Sequence, residues 1–194
     1  MKSDIYSYVF RGRLAEEALD KAGCQKYHPE AIYFSEEVAN KLSLHEIDEK
    51  YVQRSKSMIT VFAAITAFEN ATRDYVYKVL VDAYKTDWWS KGIQGSIKSK
   101  AESRKEKEAK IRWHVNCGDE MMSYLDFGDL AKTMTSSDNW NLFEPDVVSQ
   151  EWVKNLFEDV ETSRNVIMHS GILDDYDISR VGMNIRDWLR QINA

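Results

Sequence analysis

The chain of 194 residues contains few of the residues that break or cross-link a polypeptide: eight glycines, two prolines and two cysteines. So little glycine and proline argues against many tight turns and favours long helices joined by few loops. Two cysteines are too few for a disulfide framework. Apolar runs such as residues 61–65 are too short to cross a bilayer, and the first four residues do not resemble the start of a secretory signal. We therefore expect a cytoplasmic protein without a membrane segment.

Positive charge is also scarce, with 26 basic against 32 acidic residues and a net charge of −6. A protein that holds nucleic acid along many phosphates is usually basic overall. Any nucleic-acid binding by this chain is therefore expected at a local cleft. The hydrophobic content of 43% is that of a globular protein, and the length suits one main domain.

The hydrophobic pattern predicts an all-α bundle. The longest helix is expected to begin at Ser43, where residues 43–46 have the Ser-x-x-Glu form of a capping box, and to reach about Tyr84. Shorter helices are predicted over 4–22, from residue 35, over 97–112, after residue 124, over 149–170 and over 174–192. Residues 1–44 are interpreted as an N-terminal helical extension and residues 45–194 as the main domain.

One apolar stripe of the long helix is expected to pack on the core. Its members recur at helical spacings: Tyr51, Met58, Phe62, Ile65, Val76, Val79 and Ala83. Glu69 falls inside this stripe, where a carboxylate must find a partner or lose its hydration. Arg73 or Arg164 could be that partner. Glu69 is then either a supporting residue of a functional site or half of a purely structural Glu–Arg pair.

Residues 163–171, at the end of a predicted helix, contain the strongest candidates for catalytic residues. Asn165 and His169 are four residues apart and share a helix face, with Arg164 one position round. Histidine can act as an acid or a base near neutral pH, and the negative end of a helix dipole favours its charged form. The guanidinium of an arginine suits negative charge that develops on phosphate oxygens. In isolation, such residues are more often a capped helix end with a solvated arginine than a catalytic site.

The spacing of Arg164 and His169, with Asn165 directly after the arginine, resembles the Arg-x4–6-His motif of the HEPN superfamily. Further segments occur in the order typical of its bacterial Swt-type branch: residues 67–73, 87–89, 104–113, 124–130 and 139–140. Each segment alone is weakly specific, and the set together covers about residues 45–194.

This resemblance implies a HEPN-type helical bundle with a long early helix, forming a homodimer in which two Arg/His pairs face each other. It also implies metal-independent RNA cleavage that leaves a 2′,3′-cyclic phosphate, with neither cofactor nor metal. His169 would be the general acid or base, Arg164 would stabilise the phosphorane, and Asn165 would position His169 or the scissile phosphate. Glu69 and Arg73 would support the site. Related proteins often act in toxin–antitoxin, phage-defence or RNA-processing systems, which implies an antitoxin or regulatory protein as a partner.

A catalytically silent HEPN module that binds RNA, a nucleotide or a partner protein is the alternative to a nuclease. A third hypothesis is a regulatory protein that works through its dimer face and residues 1–44.

The charged helix over 97–112 has two interpretations. Its lysines and glutamates alternate at spacings that favour i,i+4 pairing on a solvated face. Its excess of basic residues also makes it a candidate RNA-binding site, with Lys105 and Arg112 as contacts.

A zinc site is a weaker candidate. Cys24 with His28 and His114 with Cys117 could supply four ligands. The spacings are loose and the halves are far apart in sequence, so we expect no metal site.

Overall fold

The computed structural model describes residues 36–111, 113, 114, 116–118 and 120–192. Every regular element within these ranges is helical, which confirms the predicted all-α bundle. A boundary between two units falls between Ile47 and Asp48. The helix predicted over 4–22 lies outside the described residues, as do Cys24, His28 and Arg112. No helix in the described ranges is long and apolar enough to span a membrane.

The described part of the first unit contains helix α1, Glu36–Lys41, and a 3-10 turn, Leu44–Glu46. The capping box predicted at residues 43–46 is wrong. Ser43 has the left-handed backbone conformation, with φ of 52°, and its side chain makes no capping hydrogen bond. An N-cap residue needs an extended backbone to turn its side chain onto the first turn. In the second unit Asp48 caps the long helix by accepting a hydrogen bond from the Lys50 N–H.

The second unit is built on this long helix, α2, which spans Glu49–Tyr84. The helices that follow are α3 (Trp88–Gly92), α4 (Gly95–Ala109), α5 (Phe127–Met134), α6 (Trp140–Phe143), α7 (Gln150–Met168) and α8 (Asp175–Ile192). Two 3-10 turns, Lys85–Asp87 and Met121–Tyr124, complete its regular elements in the described residues. The long helix therefore ends where the sequence predicted, and begins six residues later than the capping-box pattern indicated.

The core lies where α2 meets α5, α7 and α8. The face of α2 that is buried consists of Met58, Val61, Ile65, Phe68, Thr72, Val76 and Leu80. The predicted stripe is thus partly wrong: Phe62 is 40% exposed and Tyr51 is 57% exposed. Phe62 lies about 100° round the helix from buried Val61, because each residue advances an α-helix by that angle. Trp188 of α8 is completely buried, with its ring edge-on to Phe157 at 5.1 Å between centroids.

Helix α7 ends in a tight turn that fixes the backbone around His169. The Gly171 N–H donates to the Val166 carbonyl at 2.8 Å, and the Ser170 N–H donates to the Ile167 carbonyl at 2.9 Å. This pair of bonds is the Schellman arrangement, with Ser170 in the left-handed position at φ of 62°. Gly171 is needed for close approach, since a Cβ there would lie 2.7 Å from the Val166 carbonyl oxygen. The predicted helix end is therefore confirmed.

Candidate active site

A cleft of about 430 Å³ brings together residues from α2, α4, α7 and the segment before α5. Glu69 and Arg73 enter it from α2, and Arg164 enters it from α7. The two helices run antiparallel along this contact, because Met58 accepts a hydrogen bond from the Leu173 N–H while Glu69 lies opposite Arg164. The structure thus places three of the predicted site residues in one cleft.

Glu69 is shared between two arginines. Its Oε1 atom accepts a hydrogen bond from Arg73 at 2.7 Å, and its Oε2 atom lies 3.8 Å from the Arg164 Nε atom. The side chains of Glu69 and Arg73 are 15% and 16% exposed. Arg73 also donates to the Leu125 carbonyl and to Asn70, so it is held at three points. Arg164 is more weakly held and 36% exposed, which leaves its guanidinium accessible from the cleft.

His169 lies outside this cleft, at the residue that ends α7. Its backbone N–H donates to the Asn165 carbonyl, and its side chain is exposed. Asn165 is also exposed, one helical turn before His169. No contact between the Arg164 and His169 side chains is present among the described residues. Within one chain, Arg164 therefore shares the cleft with Glu69 and Arg73, whereas His169 and Asn165 are exposed outside it.

A second charged cluster, which the sequence analysis missed, adjoins this cleft. Arg104 of α4 contacts Asp126 at 2.5 Å and Asp129 at 2.7 Å, and donates to the Tyr124 carbonyl at 2.6 Å. The Asp129 side chain is only 2% exposed. Asp126 accepts a hydrogen bond from the Asp129 N–H and caps α5. The Asp-x-x-Asp pattern at 126–129 could have indicated the cap, but nothing local indicated Arg104 as its partner.

Glu161 extends this cluster towards Arg164, one turn along α7. Partial burial raises the pKa of Glu161, and the neighbouring charge of Asp126 raises it further, while Arg164 opposes the rise. Its carboxylate lies against Gly128 at the start of α5. Glu161 is therefore a half-buried acid between Arg164 and the acidic residues at the start of α5.

The far end of the cleft is closed by Glu108 and Tyr124. The Tyr124 hydroxyl donates to Glu108 at 2.6 Å, and this hydrogen bond lowers the pKa of Glu108. The Cys117 N–H donates to the same carboxylate at 2.8 Å. These bonds tie the chain after α4 back onto the helix.

The charged helix α4 differs from a simple solvated face. Arg104 and Lys100 pair with the carboxylates at the start of α5 rather than with a glutamate of their own helix. Lys105, one of the two predicted RNA contacts, is half-buried, with its ammonium 5.8 Å from the centre of the Tyr124 ring. Arg112, the other, lies outside the described residues.

Of the weaker zinc-ligand candidates, Cys24 and His28 lie outside the described ranges. Cys117 is a free, exposed thiol. Among the described residues no three histidine, cysteine or carboxylate side chains are grouped as a metal site would need.

Comparison with known proteins agrees with the fold. The family model for Swt1-like HEPN domains matches residues 63–193, which is well over half of the chain and includes Glu69, Arg164 and His169. No curated protein and no solved structure matches the chain. On the strength of the family match and the all-helical bundle, the chain belongs to the Swt1-like HEPN family.

Proposed function

We propose that this protein is a metal-independent endoribonuclease whose active site combines Arg164 and His169 from two copies of the chain. The observation that supports this most strongly is the Arg164–His169 spacing within the matched HEPN region. Both side chains are accessible: Arg164 is one-third exposed at the cleft, and His169 is exposed at the end of α7.

The chemistry needs an acid, a base and a cation. A base removes the proton of the RNA 2′-hydroxyl, and the oxygen attacks the adjacent phosphorus. The bond from phosphorus to the 5′-oxygen breaks, an acid protonates that oxygen, and a 2′,3′-cyclic phosphate remains. Histidine can fill either proton-transfer role near neutral pH, and arginine can hold the negative charge of the pentacoordinate phosphorane. Asn165, on the same exposed face as His169, would position the phosphate or the imidazole.

A homodimer would complete this site. Arg164 and His169 project from different sides of α7, because five residues advance a helix by about 500° and leave the two roughly 140° apart. Exposed apolar side chains lie close to them in the sequence of α7: Val166 is 36% exposed and Met168 55%. Clustered exposed apolar groups mark interaction surfaces. A second copy packed on this surface would supply the complementary Arg/His pair, with Glu69 and Arg73 supporting each arginine.

The test is RNA cleavage in EDTA by the purified protein, on a pool of single-stranded and structured RNAs. We expect cyclic-phosphate products that are absent with His169→Ala and with Arg164→Ala. His45→Ala and Arg190→Ala are matched controls, since both residues are exposed and distant in sequence from the site, and cleavage should persist. Cleavage that is unchanged in His169→Ala would refute the proposal.

The acidic net charge favours a second candidate, a silent HEPN module that binds RNA, a nucleotide or a protein at the same surface. It predicts binding without turnover and a folded dimer in which His169→Ala has no effect on RNA. A toxin or phage-defence role, with an antitoxin or other regulator as partner, belongs to the nuclease proposal. Growth arrest on expression of the wild type, relieved by His169→Ala, would support that role.

A further inference from the structure

A second cavity, of about 440 Å³, opens beside the end of α7 and lies apart from the Arg164 cleft. Tyr51, Arg54 and Ser55 of α2 form one wall, and Ile167, Ser170 and Ile172 form the other. Met58, which is 6% exposed, contributes an apolar surface to it. Its volume is within the range of small-molecule sites, roughly 300–1,000 Å³.

The lining combines features that suit a nucleotide. Met58, Ile167 and Ile172 offer an apolar surface for the faces of a ring. The Ser170 and Ser55 hydroxyl oxygens are available as partners for polar ring edges, and the Tyr51 ring offers a face for stacking. A flat aromatic base with hydrogen-bonding edges matches this mixture better than a purely apolar ligand does.

The charge at the cavity mouth also selects an anion. Arg54 is exposed and has no ion-pair partner among the described residues. Lys50, one turn earlier, lies with its ammonium 4.7 Å from the centre of the Tyr51 ring and 3.1 Å from the Asp48 carboxylate, so Arg54 is the cation that remains for a ligand. Arg54 and Tyr51, both in the lining of the cavity, form a local site for a phosphate attached to a stacked base on a protein with a net charge of −6.

The position of the cavity ties it to the proposed chemistry. Ser170 and Gly171, which line it, directly follow His169 in the chain. The turn that ends α7 fixes their backbone through the bonds from Ser170 to Ile167 and from Gly171 to Val166. A base bound in the cavity would therefore lie at the same end of α7 as His169, within the reach of a neighbouring nucleotide.

We propose that this cavity is a nucleotide subsite that binds the base next to the scissile phosphate of single-stranded RNA. The inference rests on the proposed nuclease function and deepens it. A base in a duplex is stacked and paired, so only an unpaired nucleotide can enter such a cavity. Tyr51 stacks on or flanks the base, and Arg54 contacts its phosphate.

The test uses a pair of serines on α2. Ser55 lines the cavity, whereas Ser57 does not, and the hydroxyl of each donates to a backbone carbonyl of its own helix. Ser55→Phe fills the cavity and Ser57→Phe adds the same bulk elsewhere. Isothermal titration with the four nucleoside 3′-monophosphates, in the His169→Ala background, measures binding without turnover.

We expect Ser55→Phe to weaken nucleotide binding about tenfold or more, as expected for loss of a base-stacking site, and Ser57→Phe to leave it unchanged. Tyr51→Leu should weaken binding and Tyr51→Phe should restore it. In the active background, Arg54→Gln should raise KM for single-stranded RNA more than it lowers kcat, and Arg180→Gln should change neither.

Equal nucleotide affinity in Ser55→Phe and Ser57→Phe would overturn the subsite. So would a Ser55→Phe protein that loses its dimer in sedimentation while its nucleotide affinity is unchanged, because a second copy would then occupy the cavity. These outcomes are separate from failure of the nuclease proposal. That failure would appear as no cleavage by the wild type, with nucleotide binding still sensitive to Ser55→Phe.

Discussion

The Arg164 Nε atom lies 3.8 Å from the Glu69 Oε2 atom, across the gap between α7 and α2. This separation is too long for a hydrogen bond but short enough for charge attraction in a partly buried cleft. Arg73 holds the other oxygen of the same carboxylate at 2.7 Å. Glu69 therefore orients Arg164 towards the cleft without fixing it, and Arg164 remains free to reach a phosphate.

We expect Glu69→Gln to reduce RNA cleavage and to lower the free energy of unfolding by about 1–3 kcal/mol. Arg73 would lose its charged partner in a partly buried position, and Arg164 would lose the charge that orients it. Initial cleavage rates and urea denaturation measure the two effects. Glu158→Gln, an exposed position on α7, should change neither quantity. A loss of stability without any loss of cleavage would make the Glu69–Arg73 pair purely structural.

Removal of Arg104 should destabilise the fold much more than removal of a surface arginine. Arg104→Ala would leave the Asp129 carboxylate, 2% exposed, with Lys100 at 3.6 Å as its remaining ion-pair partner in the described structure. We expect a loss of about 3 kcal/mol or more, as for a broken buried pair. Arg190→Ala removes an ion pair of 3.9 Å on a side chain that is 78% exposed, and should cost less than about 1 kcal/mol. Similar denaturation midpoints for the two variants would contradict this prediction.

Because the pKa of Glu161 is raised, we expect removal of its charge to increase the free energy of unfolding by an amount that depends on pH. Burial first, and then Asp126, raise its pKa above the ordinary value of 4.5, so folding favours the protonated acid. The stability from this preference is present below 4.5 and is lost as the pH rises through the folded-state pKa. Glu161→Gln should therefore be more stable than the wild type at neutral pH and show no gain at about pH 4. Urea titrations across this pH range measure the difference in unfolding free energy between Glu161→Gln and the wild type. A stabilisation that is equal at neutral pH and at about pH 4 would disprove the raised pKa of Glu161.

Asp126 should behave in the opposite sense. Burial opposes its ionisation, but the Asp129 N–H and the Arg104 guanidinium outweigh this and lower its pKa below 3.8. The stability that these partners provide is present above 3.8 and is lost as the pH falls through the folded-state pKa. Asp126→Asn retains an oxygen for the α5 cap and removes the charge. We expect its deficit in unfolding free energy to be largest at neutral pH and to shrink on acidification, as measured by the same urea titrations.

The turn that ends α7 gives a paired prediction from two adjacent residues. Gly171→Ala would place a Cβ 2.5 Å from Val166 Cγ1 and 2.7 Å from its carbonyl oxygen, and should cost about 1–3 kcal/mol. Ser170→Gly should instead stabilise the protein by roughly 0.5–1 kcal/mol, because glycine adopts the left-handed conformation without strain. Thermal unfolding of both variants tests the signs. Equal changes in melting temperature would contradict the described turn.

Much of the fold could be predicted because the information is local. The absence of glycine and proline over residues 49–84 and the helical spacing of their apolar residues predicted one long helix. The helix predicted over 174–192 is also present, with Val181 and Trp188 in the core. The start of α2 was misplaced because the Ser43–Glu46 pattern satisfies a capping rule that the left-handed backbone of Ser43 does not permit.

The site was predictable only in part, for the same physical reason. Glu69 was recognised as an unusual carboxylate, and the structure shows both Arg73 and Arg164 beside it. Arg104 was missed because its partners lie 22 and 25 residues away, whereas the local pattern of α4 suggested pairing within the helix. Spacing along a helix indicates which residues share a face, and it does not indicate which other element will face them.

The turn after α7 fixes the position of His169 relative to Arg164. Hydrogen bonds from Ser170 and Gly171 back to Ile167 and Val166 set the residue at which the helix stops. From Arg164 to His169 the chain therefore has one fixed height, roughly 7.5 Å, and one fixed rotation. One residue inserted between them would turn the histidine by about 100° relative to the arginine while leaving every core contact before Arg164 in place. The rotation between successive residues of α7, together with the residue at which α7 ends, thus sets the relative position of Arg164 and His169.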